Sequence, residues 1–158
     1  MNIVILDNII KDPIKYVDEI LEIGFEDIKD VTQVFKGIQL RYKDELQILV
    51  ESIWTGYGVV YNFVRQSPVN QDEPNFIHSD EMMGDKIILL YLSQEFPDTA
   101  GTTIYDENEK ENCVLKWKFN RLVSFDAHLK HSRNIRENFG EDNSSRLVQV
   151  IFLKKKDE

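Results

Sequence analysis

The chain predicts a mainly β fold, a sandwich or barrel of short strands, with flanking helices at its N-terminal end. Three observations carry that expectation. From residue 59 onward, β-branched and aromatic runs recur between turn-forming residues, at 59–64, 86–92, 102–105, 114–119, 121–125 and 146–153. Before residue 59, apolar residues follow helical spacing instead. Finally, 158 residues that are 42% hydrophobic and 30% charged suit one folded domain, able to bury roughly two-thirds of its unfolded surface.

The elements follow in order. Residues 3–6 are a short β-branched run that fits a strand, and Asp7-Asn8 and Asp12-Pro13 supply turn and helix-start signals. From Pro13, the positions Ile14, Val17, Ile20, Leu21 and Ile23 predict an amphipathic helix stopped by Gly24. Leu46, Ile48, Leu49, Ile53 and Trp54, after Asp44, predict a second helix ending near Gly56. Each would pack one face on a sheet. A Pro- and Asn-containing loop at 67–75 separates the first two β runs that follow. The polar segment 106–112 is expected to be an exposed hairpin loop, and 138–145, with Gly140, a polar connection. The expected organisation is a single domain over 1–158, with 1–58 as helical N-terminal support and 59–153 as the barrel core.

Charge and cysteine usage narrow the partners. A formal net charge of −9 and a pI near 4.9 argue against broad attraction to nucleic acid or an anionic membrane. Lys154-Lys155-Lys156 sits beside Asp157 and Glu158 and reads as a solvated tail that limits edge pairing. Cys113 is the single cysteine, so no intrachain disulfide and no cysteine-based zinc site is expected, and a reducing compartment follows. Residues 1–7 lack a basic n-region and are broken by Asp7, and no apolar run approaches the ~20 residues of a spanning helix. A cytoplasmic protein is expected.

The chemistry is concentrated in a few side chains. In His78-Ser79-Asp80, an extended backbone would place the imidazole and the carboxylate on one face, where both can reach one metal. A third ligand must come from another strand, and His131 follows the apolar run 122–125 where a chain leaving a strand can turn inward. Two histidines and one carboxylate can hold one face of an octahedral ion and leave the other positions open, the arrangement of non-heme Fe(II) oxygenases. His128 competes for the third place; His131 is preferred because His131-Ser132 closes the segment 120–125, leaving His128 a loop residue able to orient a ligand. Arg146 opens an alternating strand in which Arg146, Val148, Val150 and Phe152 share one face. A buried guanidinium there needs an anionic partner, either a bound dicarboxylate held bidentately or an acidic side chain. Arg133 and Arg136 are alternatives for substrate or co-substrate contact. Met82 and Met83 are expected to pack the core.

As an ordered set, His78-Ser79-Asp80, the strand 87–92, the turn and strand from Ala100-Gly101 to Tyr105, the segment 120–125, His131-Ser132 and Arg146 resemble the Fe(II)- and 2-oxoglutarate-dependent dioxygenases, in particular the prolyl-hydroxylase-like branch. The resemblance covers about residues 59–153. It implies a double-stranded β-helix, or jelly roll, of cupin-like barrel form with iron at its mouth. It further implies that His78, Asp80 and His131 bind Fe(II) and that Arg146 pairs with the distal carboxylate of 2-oxoglutarate. Tyr91 would assist that contact, and Tyr61 and Asn62 occupy positions where such enzymes place co-substrate or substrate contacts. Ala100-Gly101 stands where a Gly-Gly pair is common, a departure that bears on turn geometry.

The implied reaction consumes O2 and 2-oxoglutarate, yields succinate and CO2, and hydroxylates a substrate for which the likeness favours a peptidyl or amino-acid-like molecule. Asp80 separates this chain from related halogenases, which lack the carboxylate. The alternatives are a cupin-like metalloprotein, which would not need Arg146, and a barrel kept as a non-catalytic binding module.

Overall fold

The computed structural model describes residues 2–72, 76–134 and 138–157. In chain order the elements are β1 (Val4–Asp7), α1 (Pro13–Ile23), β2 (Glu26–Lys29), β3 (Val34–Leu40), α2 (Glu45–Ile53), β4 (Tyr57–Ser67), β5 (Lys86–Tyr91), β6 (Gly101–Tyr105), β7 (Glu111–Lys116), β8 (Arg121–Asp126), β9 (His131–Arg133) and β10 (Arg146–Lys155). Both helices start where the sequence places them. The Asp12 carboxylate accepts the Lys15 N–H with Pro13 in the first turn, and Asp44 accepts the Gln47 N–H, so each caps free donors of a first turn.

The strands form two antiparallel sheets. The larger has the order β1-β8-β5-β10-β4-β3-β2, and the smaller the order β7-β6-β9. A one-residue bridge between His78 and His131 adds a fourth chain segment to the smaller sheet beside β9. The four central strands β8-β5-β10-β4 therefore face the four segments β7, β6, β9 and His78. Successive segments from β4 onward alternate between the sheets, with β6, β7 joined as a hairpin on one side, and this is a jelly roll.

Strand alternation divides the core in two. On β5, Ile88 and Leu90 point to one side and Ile87, Leu89 and Tyr91 to the other; on β10, Leu147, Ile151 and Leu153 oppose Val148, Val150 and Phe152. The first set packs against Tyr16 and Ile20 of α1 and Leu46 and Val50 of α2. The second packs inside the barrel against Ile104 and Leu115 of the smaller sheet and Trp117 just after β7. Each fully buried aliphatic side chain stabilises by roughly 1.5–3 kcal/mol.

Between α2 and the large sheet lies a polar knot. The Asp44 carboxylate accepts from Arg41 Nε at 2.8 Å, Gln149 Nε2 at 2.9 Å, Asn62 Nδ2 at 3.2 Å and the Gln47 N–H at 3.0 Å, with the Tyr16 hydroxyl at 2.9 Å. Burial pushes the Tyr16 phenol upward, with the Asp44 charge acting in the same direction. Satisfied in this way, Gln149 is fully buried on an otherwise apolar strand face.

Several expectations are corrected. Residues 1–58 are not purely helical support: β2 and β3 extend the large sheet beyond β4 as a hairpin whose outer strand, β2, is mostly exposed. Glu26-Asp27-Ile28-Lys29 has one apolar residue, so no alternation announced it, and its charges suit an edge. Lys154 and Lys155 belong to β10, paired with Gly58 and Tyr57, rather than to a tail. Met82 is 97% exposed, and Met83 is also exposed, so neither packs the core. On α1, Ile14 and Ile23 face solvent, while Tyr16 takes an inward place. Segment 106–112 is the expected exposed hairpin turn, in which Asp106 accepts the Asn108 and Lys110 N–H groups. Among the described residues no helix is long and apolar enough to cross a membrane.

Candidate metal centre

His78, Asp80 and His131 converge. One ligand atom from each lies within 4.8 Å of the other two. His131 Nε2 is 2.9 Å from Asp80 Oδ2, and His78 Nε2 is 3.5 Å from Asp80 Oδ1. Donors bound at about 2.1 Å and at right angles on an octahedral ion are about 3 Å apart, so the spacing suits a single ion.

The backbone sets these positions. His78 and His131 are cross-strand partners that exchange both hydrogen bonds, His78 N to His131 O at 3.0 Å and His131 N to His78 O at 2.8 Å. Their rings are 4.5 Å apart. Asp80 is held by its own N–H on the Ala127 carbonyl, and its carbonyl accepts from Met83 N in a turn. Each imidazole donates Nδ1–H to a backbone carbonyl, His78 to Phe76 at 2.8 Å and His131 to Leu129 at 2.9 Å. That contact orients the ring and aims Nε2 at the carboxylate, where it suits either a proton or the lone pair of a metal ligand.

The electrostatics agree with the geometry. Burial works to raise the Asp80 carboxyl, but hydrogen bonds from His131 and His78 outweigh it and hold the group well below the usual carboxylate range. The hydrogen bond to Asp80 raises His78 above its ordinary 6.5, against partial burial. His128 is exposed and lies outside the cluster.

The three side chains open into a cavity of about 200 Å³ between the two sheets. Arg146 also lines it, buried to 6% exposure, with its guanidinium 5.5 Å above the Trp117 ring. Arg65 of β4 and Arg133 of β9 line it too; Arg65 Nε donates to the Lys36 carbonyl at 3.2 Å and Arg133 Nη1 to the Asn138 side-chain oxygen. Phe63, Leu89 and Val150 supply apolar wall.

Other expected site residues are placed differently. Asn62 is turned away: it is buried on the helix side of β4, bonded to Asp44, Gln47 and Gln149. Its neighbour Tyr61 is half exposed and meets Phe152 edge-on at 6.3 Å, which puts it at the cavity rim on the same strand face as Phe63 and Arg65. Tyr91 is fully buried, stacked on Trp117 at 4.4 Å, with its hydroxyl 2.8 Å from Thr102 Oγ1; burial pushes it up to about 12. Thr102, not Tyr91, reaches the cavity. Gly101 has φ +138°, and a Cβ there would sit 2.0 Å from the Leu115 carbonyl oxygen, so the turn into β6 needs glycine. Arg136 lies outside the described residues. Sequence reasoning missed Arg65 and Thr102. The signal for Arg65 was the one that singled out Arg146, an arginine in step with an apolar residue two positions away, Phe63 for Arg65 and Val148 for Arg146.

No protein-family model matches the chain, and no curated protein matches it by sequence. Solved structures do share its fold. A prolyl hydroxylase from Trichoplax adhaerens, in complex with a hypoxia inducible factor oxygen degradation domain peptide fragment, aligns with a TM-score of 0.64 at 17% identity, over 97% of this chain and 83% of that one. The non-heme α-ketoglutarate-dependent epimerase SnoN from nogalamycin biosynthesis aligns with a TM-score of 0.67 at 10% identity, over 97% and 77%. A 2OG-Fe(II) oxygenase family oxidoreductase from Burkholderia pseudomallei aligns with a TM-score of 0.65 at 12% identity, over 98% and 86%.

Proposed function

We propose that this chain is a single-domain Fe(II)- and 2-oxoglutarate-dependent oxygenase that hydroxylates a peptidyl or small amino-acid-like substrate. The observation that carries the reading is the convergence of His78, Asp80 and His131 on a cavity that also receives the buried Arg146. The shared fold of oxygenases supports it. A cupin-like metal site would not need an arginine beside the triad.

The donor set fits iron. Two imidazole nitrogens and one carboxylate oxygen are the ligands that leave sites open on non-heme Fe(II), and the Nδ1–H contacts to Phe76 and Leu129 pre-set both rings. Bound iron would supply the redox chemistry by which O2 and 2-oxoglutarate yield succinate and CO2 while a substrate C–H becomes C–OH. The remaining work belongs to the chain. Arg146 pairs with the distal carboxylate of the co-substrate and fixes its distance from the triad. Thr102, held by Tyr91, offers a hydroxyl to the cavity. Phe63, Leu89 and Val150 keep the wall apolar, which strengthens these polar contacts and limits water.

The test is anaerobic visible spectroscopy of the Fe(II)-loaded protein on addition of 2-oxoglutarate. A saturable charge-transfer band from bidentate chelation is expected, abolished in His131→Ala and weakened in Arg146→Ala. Its absence from folded, iron-loaded protein would refute the reading.

A further inference from the structure

The backbone around Arg146 is gripped by residues that also grip one indole ring. Regular pairing of β10 with β5 stops at Val148 and Tyr91, two residues short of Arg146. Beyond that point the Leu92 N–H donates to the Leu147 carbonyl at 3.0 Å, and the buried Ser93 hydroxyl continues the seam: it accepts the Leu147 N–H at 2.9 Å and donates to the Ser145 carbonyl at 3.3 Å. The Arg146 N–H donates to the Phe139 carbonyl at 2.8 Å. Ser93 and Phe139 meet again at Trp117. The Ser93 carbonyl accepts the indole N–H at 3.0 Å, and the Phe139 ring stands edge-on to the indole at 5.5 Å. Tyr91 stacks on it at 4.4 Å.

An indole held in this way is a fixed shelf, and the Arg146 guanidinium lies over it, 5.5 Å from the ring centroid. That is within the roughly 6 Å of a cation–π contact, which is strongest when both groups are buried, as Trp117 and Arg146 are. The contact uses the face of the guanidinium and none of its five N–H donors, which radiate in its plane, so it coexists with hydrogen bonds to protein and to ligand. An arginine already confined to one pose loses less conformational freedom when a ligand binds. Trp117 does not line the cavity, so its effect on a ligand there passes through a residue that does.

We propose that Trp117 is a positioning residue: it fixes the Arg146 guanidinium before the co-substrate arrives, and so strengthens 2-oxoglutarate binding without touching the molecule. This rests on the oxygenase reading for the ligand of Arg146, and it adds to that reading a residue outside both the metal centre and the cavity wall.

The test compares full-length parent, Trp117→Leu, Trp117→Phe, Arg146→Gln and the double variant of Trp117→Leu and Arg146→Gln, with thermal unfolding as the check on each fold. On Zn(II)-loaded protein, 2-oxoglutarate affinity is measured by calorimetry. Trp117→Leu should weaken it about five- to thirtyfold, the span of a partly to fully desolvated cation–π contact, and Trp117→Phe, which keeps a π face, by less. If Trp117→Leu does not fold, Trp117→Phe carries the comparison. Zn(II) affinity should match the parent in both, since the triad is untouched. In the Arg146→Gln background, Trp117→Leu should change 2-oxoglutarate affinity by less than about twofold, because its effect passes through the guanidinium. The full loss repeated in that background, or an equal loss of Zn(II) affinity, would mean that Trp117 only packs the core and would overturn the proposal. A second measurement needs no co-substrate. The 15N heteronuclear NOE of the Arg146 Nε–H, assigned by its absence from Arg146→Gln, should show an ordered side chain in the parent and a mobile one in Trp117→Leu. Equal order in the two would also overturn the proposal. If 2-oxoglutarate fails to bind the parent protein, the oxygenase reading fails, and the NOE still decides whether Trp117 holds the guanidinium.

Discussion

Replacing Asp44 by asparagine changes one atom in the polar knot and should cost a large share of the stability. The Asp44 side chain is 9% exposed and faces only donors, two groups at Oδ1 and, with the Tyr16 hydroxyl, three at Oδ2. Asparagine must turn its NH2 toward one set. The less damaging choice points it at Gln47 N–H and Asn62 Nδ2, which loses two hydrogen bonds and leaves Arg41 facing a neutral amide. At about 1.5–3 kcal/mol for each bond to a charged group, Asp44→Asn should destabilise by about 3–5 kcal/mol. Domains of this kind are stable by only about 5–15 kcal/mol. Urea unfolding at pH 7 measures the gap.

The pH dependence has a definite sign. Burial raises the Asp44 carboxyl, but the bonds from Arg41, Gln47 and Gln149 win and hold it below 3.8. The stabilisation is therefore fully present above pH 3.8 and lost as pH falls through the lower folded value. Asn does not titrate, so the gap between parent and variant should narrow in acid. A gap under about 1 kcal/mol at pH 7, or one that widens on acidification, would refute the reasoning.

Two further outcomes are expected. Zn(II) at about 100 times its dissociation constant should stabilise the fold by about 2.7 kcal/mol, raising Tm by about 5–10 °C, in parent and His128→Ala but not in His78→Ala, Asp80→Ala or His131→Ala. The rise should shrink on acidification from above pH 6.5, because the raised His78 keeps its proton longer while Asp80 stays ionised; the contribution of protonated His78 to metal-free stability runs the opposite way, present below 6.5 and lost as pH rises through the raised value. Gly101→Ala should cost about 2 kcal/mol or more, read from urea midpoints, since a Cβ meets the Leu115 carbonyl in a backbone conformation that disfavours side chains.

Much of the site was legible because its signals are periodic. His78 and Asp80 lie two apart on extended chain, and the alternation of β10 assigned Arg146, Val148, Val150 and Phe152 to one face, as the core division bears out. The same rule would have separated Tyr61 from Asn62, since adjacent residues on a strand cannot share a face; Asn62 joins Val64 on the helix side. It would also have brought in Arg65, in step with Tyr61 and Phe63. The edge strand β2 gave no such signal, because an exposed strand needs no apolar alternation, and in β3 Lys36-Gly37 interrupts the apolar run between Phe35 and the buried Ile38. The polar knot was hidden for another reason: Tyr16, Asp44, Asn62 and Gln149 span 133 residues of sequence, and their satisfaction exists only once the sheet has assembled.

The split personality of β10 makes it a map for variation. Val148, Val150 and Phe152 touch the cavity, while Leu147, Gln149, Ile151 and Leu153 touch the helices or the polar knot. A change at the first set can reshape what the protein accepts while the second set still anchors the strand. Libraries aimed at altered substrate choice can therefore vary alternate positions and hold the ones between them fixed, and the cost in folding should stay small where the new side chain fits the cavity.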